Sequence, residues 1–234
     1  PLYSSAASDV YKRQGKKLTP GRGGMLAGAE LLHHPSAGST YLNFYYDIGN
    51  AAPEEMPYLN LLTDVVDELD TGKHTAQELN TLRNTWLGRS GAWVDGWTGR
   101  QPGRPVHAKL VAGMSLLERS LEKAVELGGE WLYETKFTGP QAEAAMERVV
   151  SQQKLMMEQR FLREGHAFAS MRAAAHFSVE AAMNERCSGV SYYHFLCGLQ
   201  EEADWAGLGR RLEALREKVL GGNALTVSLH LSLI

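Results

Sequence analysis

The sequence predicts an α+β fold, in which helices pack on one face of a mostly antiparallel sheet. Segments with strand composition lie at residues 40–48, at 88–99 with 106–114, and at 223–231. Helical periodicity fills the intervals between them, above all from residue 116 to residue 220. Strands that are grouped apart from helices are typical of this class. The composition, 44% apolar and 22% charged, is that of an ordinary globular protein.

The first strand is predicted at residues 40–48, where TYLNFYYDI is rich in aromatic residues and Gly49-Asn50 ends the run. Because side chains alternate along a strand, the segment has two distinct faces. One face carries Leu42, Phe44, Tyr46 and Ile48, and the other carries Tyr41, Asn43, Tyr45 and Asp47. The first set requires a hydrophobic core, whereas the second set tolerates water.

Two helices and a pair of strands are expected next. The segment 53–70 begins with prolines and acids, which suit the first turn of a helix, and its apolar residues recur every three or four positions. Thr75 and Glu78 have the spacing of a capping box, so a second helix begins there. Residues 88–99 and 106–114 are predicted as strands, paired most simply as a hairpin.

The remainder of the chain is mainly helical by periodicity. A first apolar stripe is formed by Leu117, Leu121, Val125 and Leu132, with an interruption at Gly128-Gly129. Gly139-Pro140 starts a long helix. Its buried seam is predicted to contain Met146, Val150, Met157, Phe161, Phe168, Met171 and Ala175. Shorter helices are expected at 191–199 and 208–220, before a last strand at 223–231.

Charge and cysteine content exclude several classes of partner. A net charge of −3 gives no overall field that would attract nucleic acid or an anionic membrane. No stretch approaches the roughly 20 apolar residues of a membrane span. Cys187 and Cys197 are more consistent with a reducing compartment than with a disulfide scaffold. We therefore expect a cytoplasmic protein with neither nucleic acid nor membrane as a partner.

Motifs that carry chemistry are absent from the sequence. His74 and Glu78 have metal-ligand spacing, but the capping box explains Glu78 better, and no H-x-x-E-H or H-E-x-x-H occurs. Gly88-Arg89-Ser90-Gly91 is the nearest string to a G-x-S-x-G nucleophile elbow and has the wrong spacing. There is no phosphate-binding P-loop. The residues themselves predict an α+β domain without a visible active site.

Two strings resemble a known family. YLNFYYDIGNAAPEEMPYLNLLTDVVDELDTGKHTAQELN, residues 41–80, and MNERCSGVSYYHFLCGLQE, residues 183–201, resemble the third domain of the presequence protease and falcilysin branch of insulinase (pitrilysin-type) metallopeptidases. The strand pair, the long helix with EGHAFASMRAAAHF and the final GGNALTVSLH follow in the family's order, so the resemblance covers about residues 25–230. The family's Thr-Gly-Gly turn before the hairpin is replaced here by residues 86–91.

The resemblance implies a metallopeptidase-like, non-catalytic domain within a larger enzyme. In that family, four similar α+β domains form two bowl-shaped halves around a chamber that holds an unstructured peptide. The zinc motif lies in the first domain, and an assisting arginine and tyrosine lie in the last. Neither set of positions exists in this sequence, so the resemblance assigns it no catalytic residue and no metal ligand, although the parent enzyme would bind Zn²⁺.

The two ends of the chain are interpreted separately. SSAASDVYKRQ near the start and LSLI at the end resemble the in-frame translation of a transposon end used in sequencing libraries. We therefore expect residues 1–14 and 231–234 to be adapter-derived, 15–38 to be a linker and 39–230 to be the domain. On this interpretation the parent is a longer, bacterial protein.

The expected function is that of a non-catalytic domain of a zinc metalloendopeptidase that degrades short unstructured peptides. Its partners would be the other domains of the protease and the peptide substrate. Tyr41, Asn43 and Tyr45 are expected to face the chamber, although a solvated outer face explains the same alternation equally well. The alternatives are a stand-alone inactive subunit that acts as a scaffold for a catalytic chain, and an unrelated helical interaction protein.

Overall fold

One mixed sheet organises the fold of the computed structural model, which describes residues 16–18, 30–35, 39–98, 106–221 and 225–231. Its strands are β1 (Lys16–Leu18), β2 (Glu30–Pro35), β3 (Thr40–Asp47), β4 (Leu87–Thr98), β5 (Val106–Leu116) and β6 (Leu225–Leu231). They lie in the order β1-β2-β6-β3-β5-β4. Only the β2–β6 pair is parallel among these described strands, which confirms a mostly antiparallel sheet.

Seven α-helices occur in the described part of the chain. They are α1 (Met56–Val65), α2 (Ala76–Trp86), α3 (Leu121–Tyr133), α4 (Pro140–Ala174), α5 (Val179–Ser188), α6 (Val190–Glu202) and α7 (Trp205–Leu220). Short 3₁₀ turns at Pro53–Glu55 and Glu118–Ser120 precede α1 and α3. The helices cover one face of the sheet, so the predicted α+β class is confirmed.

The hydrophobic core lies between that face and the helices. Leu42, Tyr46 and Ile48 are buried and Phe44 packs against them, as the alternation in the first strand predicts. Opposite them on β5 lie Leu110 and Met114, also buried. The largest buried side chains from the helices include Leu59, Leu61, Trp131, Met146, Leu196 and Leu212. Burial of such side chains, at about 1.5–3 kcal/mol each, holds the helical layer on the sheet.

Several local predictions are confirmed by geometry. The Thr75 side chain accepts a hydrogen bond from the Glu78 amide, and the Glu78 carboxylate accepts one from the Thr75 amide at 2.9 Å. The β4–β5 hairpin pairs from Thr98 and Val106 down to Leu87 and Leu116. The long helix begins at Pro140, and the predicted seam positions Met146, Val150, Met157 and Phe168 are buried.

The predicted stripe on α3 is confirmed in part. Leu132 is buried and Leu121 packs against the core, whereas Leu117 and Val125 are exposed; Ala124, Leu127, Gly128 and Trp131 are also buried. Leu117 lies before the 3₁₀ turn at residues 118–120, so it is not part of the helix. Gly128 does not interrupt the helix, which continues to Tyr133. A Cβ at Gly128 would collide with the end of the Met114 side chain. Glycine allows the helix to approach β5 closely.

Three further differences concern element boundaries. The segment 15–38, predicted as a linker, contributes β1 and β2 to the sheet. This was missed because Gly and Pro dominate the surrounding residues, and strand pairing there depends on β6 at the far end of the chain. Helix α5 was not predicted, and α1 ends at Val65 rather than near residue 70. Of the residues interpreted as adapter-derived, 1–14 and 232–234 lie outside the described residues, whereas Leu231 is the last residue of β6.

Candidate functional site

The face of the sheet that the helices leave uncovered carries the predicted site residues. Tyr41, Asn43 and Tyr45 lie on this face of β3, the central strand between β5 and β6. Tyr41 pairs with Ser115 on one side and with His230 on the other. Its ring meets the His230 ring edge-on at a centroid distance of 6.4 Å. The structure therefore brings the three residues together on one open surface, which we call the outer face.

Two tryptophans extend this surface across β4. Trp93 and Trp97 are each 43% exposed, and Tyr41 is 47% exposed. Trp93 and Tyr45 both pair with Val111, so they flank the same position of β5. The ring of Tyr45 meets that of Trp97 edge-on at a centroid distance of 6.0 Å. Such aromatic groups expose large apolar surface that can pack against a ligand.

A pair of glycines forms the floor between the aromatic side chains. Gly113 on β5 pairs with Asn43 on β3 and with Gly91 on β4. A Cβ at Gly113 would lie 2.6 Å from Oδ1 of Asn43 and 2.7 Å from Cη2 of Trp93, so both side chains rest on the β5 backbone. A Cβ at Gly91 would meet no atom within 4 Å. The result is a shallow groove of about 520 Å³ lined by Tyr41, Asn43, Arg89, Gly91, Trp93 and Gly113, among others.

Charged groups lie at the two ends of β4 on this face. Arg89 is exposed at the end near Tyr41 and lines the groove. At the other end Asp95 lies opposite Lys109 in the register of the two strands. Lys109 forms an ion pair with Asp47 at 2.5 Å. Burial raises the pKa of Asp47, but the hydrogen bonds from Lys109 and from a backbone amide outweigh it and leave the pKa lowered. The row Asp47–Lys109–Asp95 therefore carries a net negative charge.

A second cavity, of about 280 Å³, lies on the helical side and has a structural explanation. Its wall contains Thr71 and His74, which both contact Glu130, a carboxylate only 3% exposed. Thr71 donates to Oε1 of Glu130 at 2.5 Å, and Nδ1 of His74 lies 2.8 Å from the same atom. Burial raises the pKa of Glu130, but these contacts reverse the effect and lower it. The cluster ties the turn before α2 to α3.

The second family-like string has an equally clear structural role. Oε1 of Glu185 accepts hydrogen bonds from the Ser191 amide at 3.1 Å and from Nη1 of Arg172 at 2.9 Å, so Glu185 caps α6 and binds it to α4. Gly189 forms the tight turn between α5 and α6. A Cβ there would lie 2.7 Å from the carbonyl oxygen of Glu185. These residues build the helical layer rather than a site.

No metal-binding group is formed by the residues that the structure describes: no three His, Cys, Asp or Glu side chains lie close enough to share an ion. His74, considered above for its spacing to Glu78, contacts Glu130 instead, while Glu78 caps α2.

The sequence analysis did not predict Arg89, Trp93 and Trp97 as outer-face residues. The spacing of the two tryptophans, four apart in a predicted strand, was the available signal that they share a face.

Comparison with solved structures defines the class of domain. A conserved protein from Enterococcus faecalis superposes with a TM-score of 0.64 at 15% identity, over 88% of this chain and 47% of that one. The periplasmic protease PqqL from Escherichia coli superposes with a TM-score of 0.57 at 11% identity, over 94% of this chain and 23% of that one. At such identities the likeness shows a shared fold, that of a domain found in a protease.

The particular family follows from the sequence. Residues 6–199 match the family model for the domain associated with subfamily C of the M-16 peptidases. The chain belongs to this family, the non-catalytic domain associated with insulinase-type metallopeptidases, and the resemblance found in the sequence is confirmed.

Curated relatives include presequence protease 1 (chloroplastic/mitochondrial) of Arabidopsis thaliana, 28% identical over 210 residues, which cover 88% of this chain and 19% of that protein. HypA of Clostridium perfringens is 21% identical over 204 residues, which cover 86% of this chain and 21% of that protein. The chain thus spans about a fifth of the length of these relatives. No described helix combines the length and apolar content that crossing a bilayer requires.

Proposed function

We propose that this chain forms part of the wall of a peptide-enclosing chamber in a zinc metalloendopeptidase that degrades short unstructured peptides. Its outer face, with Tyr41, Asn43 and Tyr45, would contact the peptide. The single observation that supports this most strongly is the open groove between exposed aromatic side chains on the one sheet face that the helices leave bare. Family membership and the presequence protease relative support the enzyme class.

In this proposal the chain binds peptide and does not cleave it. Hydrolysis of this type uses a zinc-activated water. The described residues do not fit a zinc site, since they form no suitable ligand cluster. We therefore assign zinc to another domain of the parent enzyme and assign no step of hydrolysis to this chain. What the outer face supplies is aromatic surface and the Asn43 amide, which orient a chain that has no structure of its own.

The partners proposed are the other domains of the same protease and the peptide itself, in a bacterial cytoplasm. Cys187 and Cys197 are both unpaired, which suits a reducing compartment. Burial raises the pKa of the Cys187 thiol to about 12, so it remains a neutral, inert core group. A stand-alone subunit beside a separate catalytic chain would use the same outer face, and would differ only in the covalent link.

The test is a kinetic comparison in a full-length protease that carries this domain. Tyr41→Ala and Tyr45→Ala together should raise KM for an unstructured peptide about tenfold, since each ring contributes packing of about 0.5–1.5 kcal/mol. kcat should change little, because the reacting groups lie elsewhere. Phe177→Ala is the matched control, since Phe177 is 90% exposed next to the end of α4, on the helical layer. Unchanged kinetics in the double variant would reject the proposal.

A further inference from the structure

The residues of the outer face form rows that run across the strands, because paired residues lie opposite one another. From β4 through β5 to β3, three neighbouring rows are Arg89–Ser115–Tyr41, Gly91–Gly113–Asn43 and Trp93–Val111–Tyr45. The first and third rows carry large side chains at both ends, whereas the middle row begins with two glycines. The outer-face groove lies over this middle row.

Gly91 is the open position of the middle row. A Cβ at Gly91 would meet no atom within 4 Å. Gly113, its neighbour on β5, is instead covered by the side chains of Asn43 and Trp93. The floor of the groove is therefore bare backbone at Gly91, and a group from another molecule can rest there.

An indole and a guanidinium stand on either side of this open position. Because side chains alternate along a strand, Arg89 and Trp93 project on the same face as Gly91, two residues before it and two after it. Trp93 is 43% exposed. Arg89 is exposed and forms no ion pair or hydrogen bond within the described residues. Both planar groups therefore retain surface that can pack against a ligand.

The separation of the two groups fits one flat side chain. Four residues at about 3.3 Å each place the Cα atoms of Arg89 and Trp93 roughly 13 Å apart. A ring that packs between two planar groups, at about 3.5–4 Å from each, takes up about 7–8 Å of this span. The flexible stem of Arg89 can close the remainder.

Both groups favour an aromatic ring over an aliphatic side chain of the same size. An indole gains more from packing against another ring than the buried area alone accounts for. A guanidinium stacks on aromatic faces, and its positive charge complements the negative π face. An aliphatic side chain would gain only from the burial of apolar surface.

We propose that Gly91, Trp93 and Arg89 form a seat for an aromatic side chain of the bound peptide. The ring lies on the Gly91 backbone between the indole and the guanidinium, and the rest of the peptide follows the groove toward Tyr41 and Asn43. This inference rests on the proposed function and names the substrate class, unstructured peptides that contain phenylalanine, tyrosine or tryptophan. The aromatic seat binds through side-chain contacts on the outer face.

The test is a titration of the 234-residue chain with three peptides, followed by NMR chemical shifts. Each peptide consists of glycine and serine with blocked ends, and its central residue is phenylalanine, cyclohexylalanine or alanine. Cyclohexylalanine keeps the size and apolar surface of phenylalanine but lacks the π face. We expect it to bind about three- to tenfold more weakly than phenylalanine, and alanine to bind more weakly still. Equal affinity of the phenylalanine and cyclohexylalanine peptides would overturn the proposal.

A substitution at Gly91 assigns the preference to the seat. Gly91→Val raises the floor without a clash at Cβ, and valine suits a strand. The phenylalanine peptide should bind this variant about tenfold more weakly, since the ring loses its place beside Trp93. Gly129→Val, at an equally open glycine on α3, is the matched control and should bind the peptide as the original chain does. Unchanged affinity in Gly91→Val would contradict the assignment.

A substitution at Arg89 tests the guanidinium. Arg89→Met removes the charge and keeps an unbranched apolar side chain. The ratio of affinities for the phenylalanine and cyclohexylalanine peptides should fall about two- to threefold. Arg163→Met, which changes an exposed arginine on α4, is the control and should leave the ratio unaltered. An undiminished ratio in Arg89→Met would reject the seat as proposed.

The outcomes separate this inference from the proposed function. Binding without a preference for phenylalanine, which Tyr41→Ala with Tyr45→Ala weakens, would keep the outer face as the peptide surface and reject the aromatic seat. A preference that depends on Gly91 and Arg89 but not on the two tyrosines would support the seat and reject the contacts proposed for those tyrosines. No binding of any of the three peptides would reject both.

Discussion

Asp64 provides the sharpest test of the electrostatics in the helical layer. It lies on α1, and burial, together with the negative charge of Asp67, raises its pKa from 3.8 to about 6. Its carboxylate also acts on the buried Tyr192 hydroxyl, whose pKa is raised mainly by burial and further by the charge of Asp64. At neutral pH the folded protein therefore holds a charge that its surroundings disfavour, and the neutral isostere Asp64→Asn should stabilise it.

The size of the effect follows from proton linkage. A pKa of 3.8 in the unfolded chain and about 6 in the folded protein means that the folded state binds more protons between these values, so the free energy of unfolding falls as pH rises through this window. The difference between these two pKa values lowers the free energy of unfolding by about 3 kcal/mol at pH 7.5. At pH 4 the same expression leaves only about 0.5 kcal/mol, since the folded state is then protonated and the unfolded state is only about half ionised. The gain from Asp64→Asn should therefore grow with pH.

Urea unfolding followed by circular dichroism at pH 4 and pH 7.5 measures this directly. We expect Asp64→Asn to raise the free energy of unfolding by about 1–3 kcal/mol at pH 7.5 and by less than about 0.5 kcal/mol at pH 4. Glu201→Gln, an exposed residue on α6, is the control and should change neither value appreciably. A gain that is equal at both pH values, or a loss at pH 7.5, would refute the reasoning.

Three other predictions, each with its substitutions, use the same assay. Arg83→Ala should lower the free energy of unfolding by about 3–5 kcal/mol, because this buried arginine pairs with Asp67 and its removal leaves Asp67 without that partner. Arg83→Met should lower it less, since methionine keeps the apolar packing. Gly189→Ala should lower the free energy of unfolding by about 1–3 kcal/mol, because the added Cβ clashes within its turn. Gly129→Ala, in open space within α3, should raise it by up to about 1 kcal/mol. Glu130→Gln should destabilise at neutral pH but not in acid, because a lowered pKa in the folded state gives stability that is lost as pH falls.

Each of these expectations has a result that contradicts it. Equal losses for Arg83→Ala and Arg83→Met would show that charge, not packing, accounts for the whole effect. A Gly189→Ala chain as stable as Gly129→Ala would remove the steric explanation of that turn. A deficit for Glu130→Gln that stays constant from pH 7 down to pH 3 would mean that the carboxylate is not held ionised by its partners.

The sequence predicted best those features that depend on neighbours along the chain. The capping box at Thr75 and Glu78 needs only four residues, and the two faces of β3 need only the alternation of its side chains. Features that depend on the position of an element within the fold were harder to predict. Leu117 lies outside α3 because a 3₁₀ turn precedes that helix, and β2 pairs with β6, nearly two hundred residues away. Neither is encoded in local periodicity.

The candidate site shows the same division. Tyr41, Asn43 and Tyr45 share a face because they alternate in one strand, so the sequence placed them together. The groove beside them depends on β5, whose Gly113 lets Asn43 and Trp93 rest on its backbone, and on β4, which adds Arg89. Those contacts arise from pairing between strands, and no spacing rule within either strand predicts them. The edge position of β4 likewise follows only from the complete strand order.

The central claim, that this chain contacts peptide without hydrolysing it, is tested most directly by incubating the purified chain with Zn²⁺ and an unstructured peptide. We expect measurable binding, no stoichiometric zinc after dialysis, and intact peptide by mass spectrometry. One tightly held zinc per chain together with cleavage that a chelator abolishes would contradict the account.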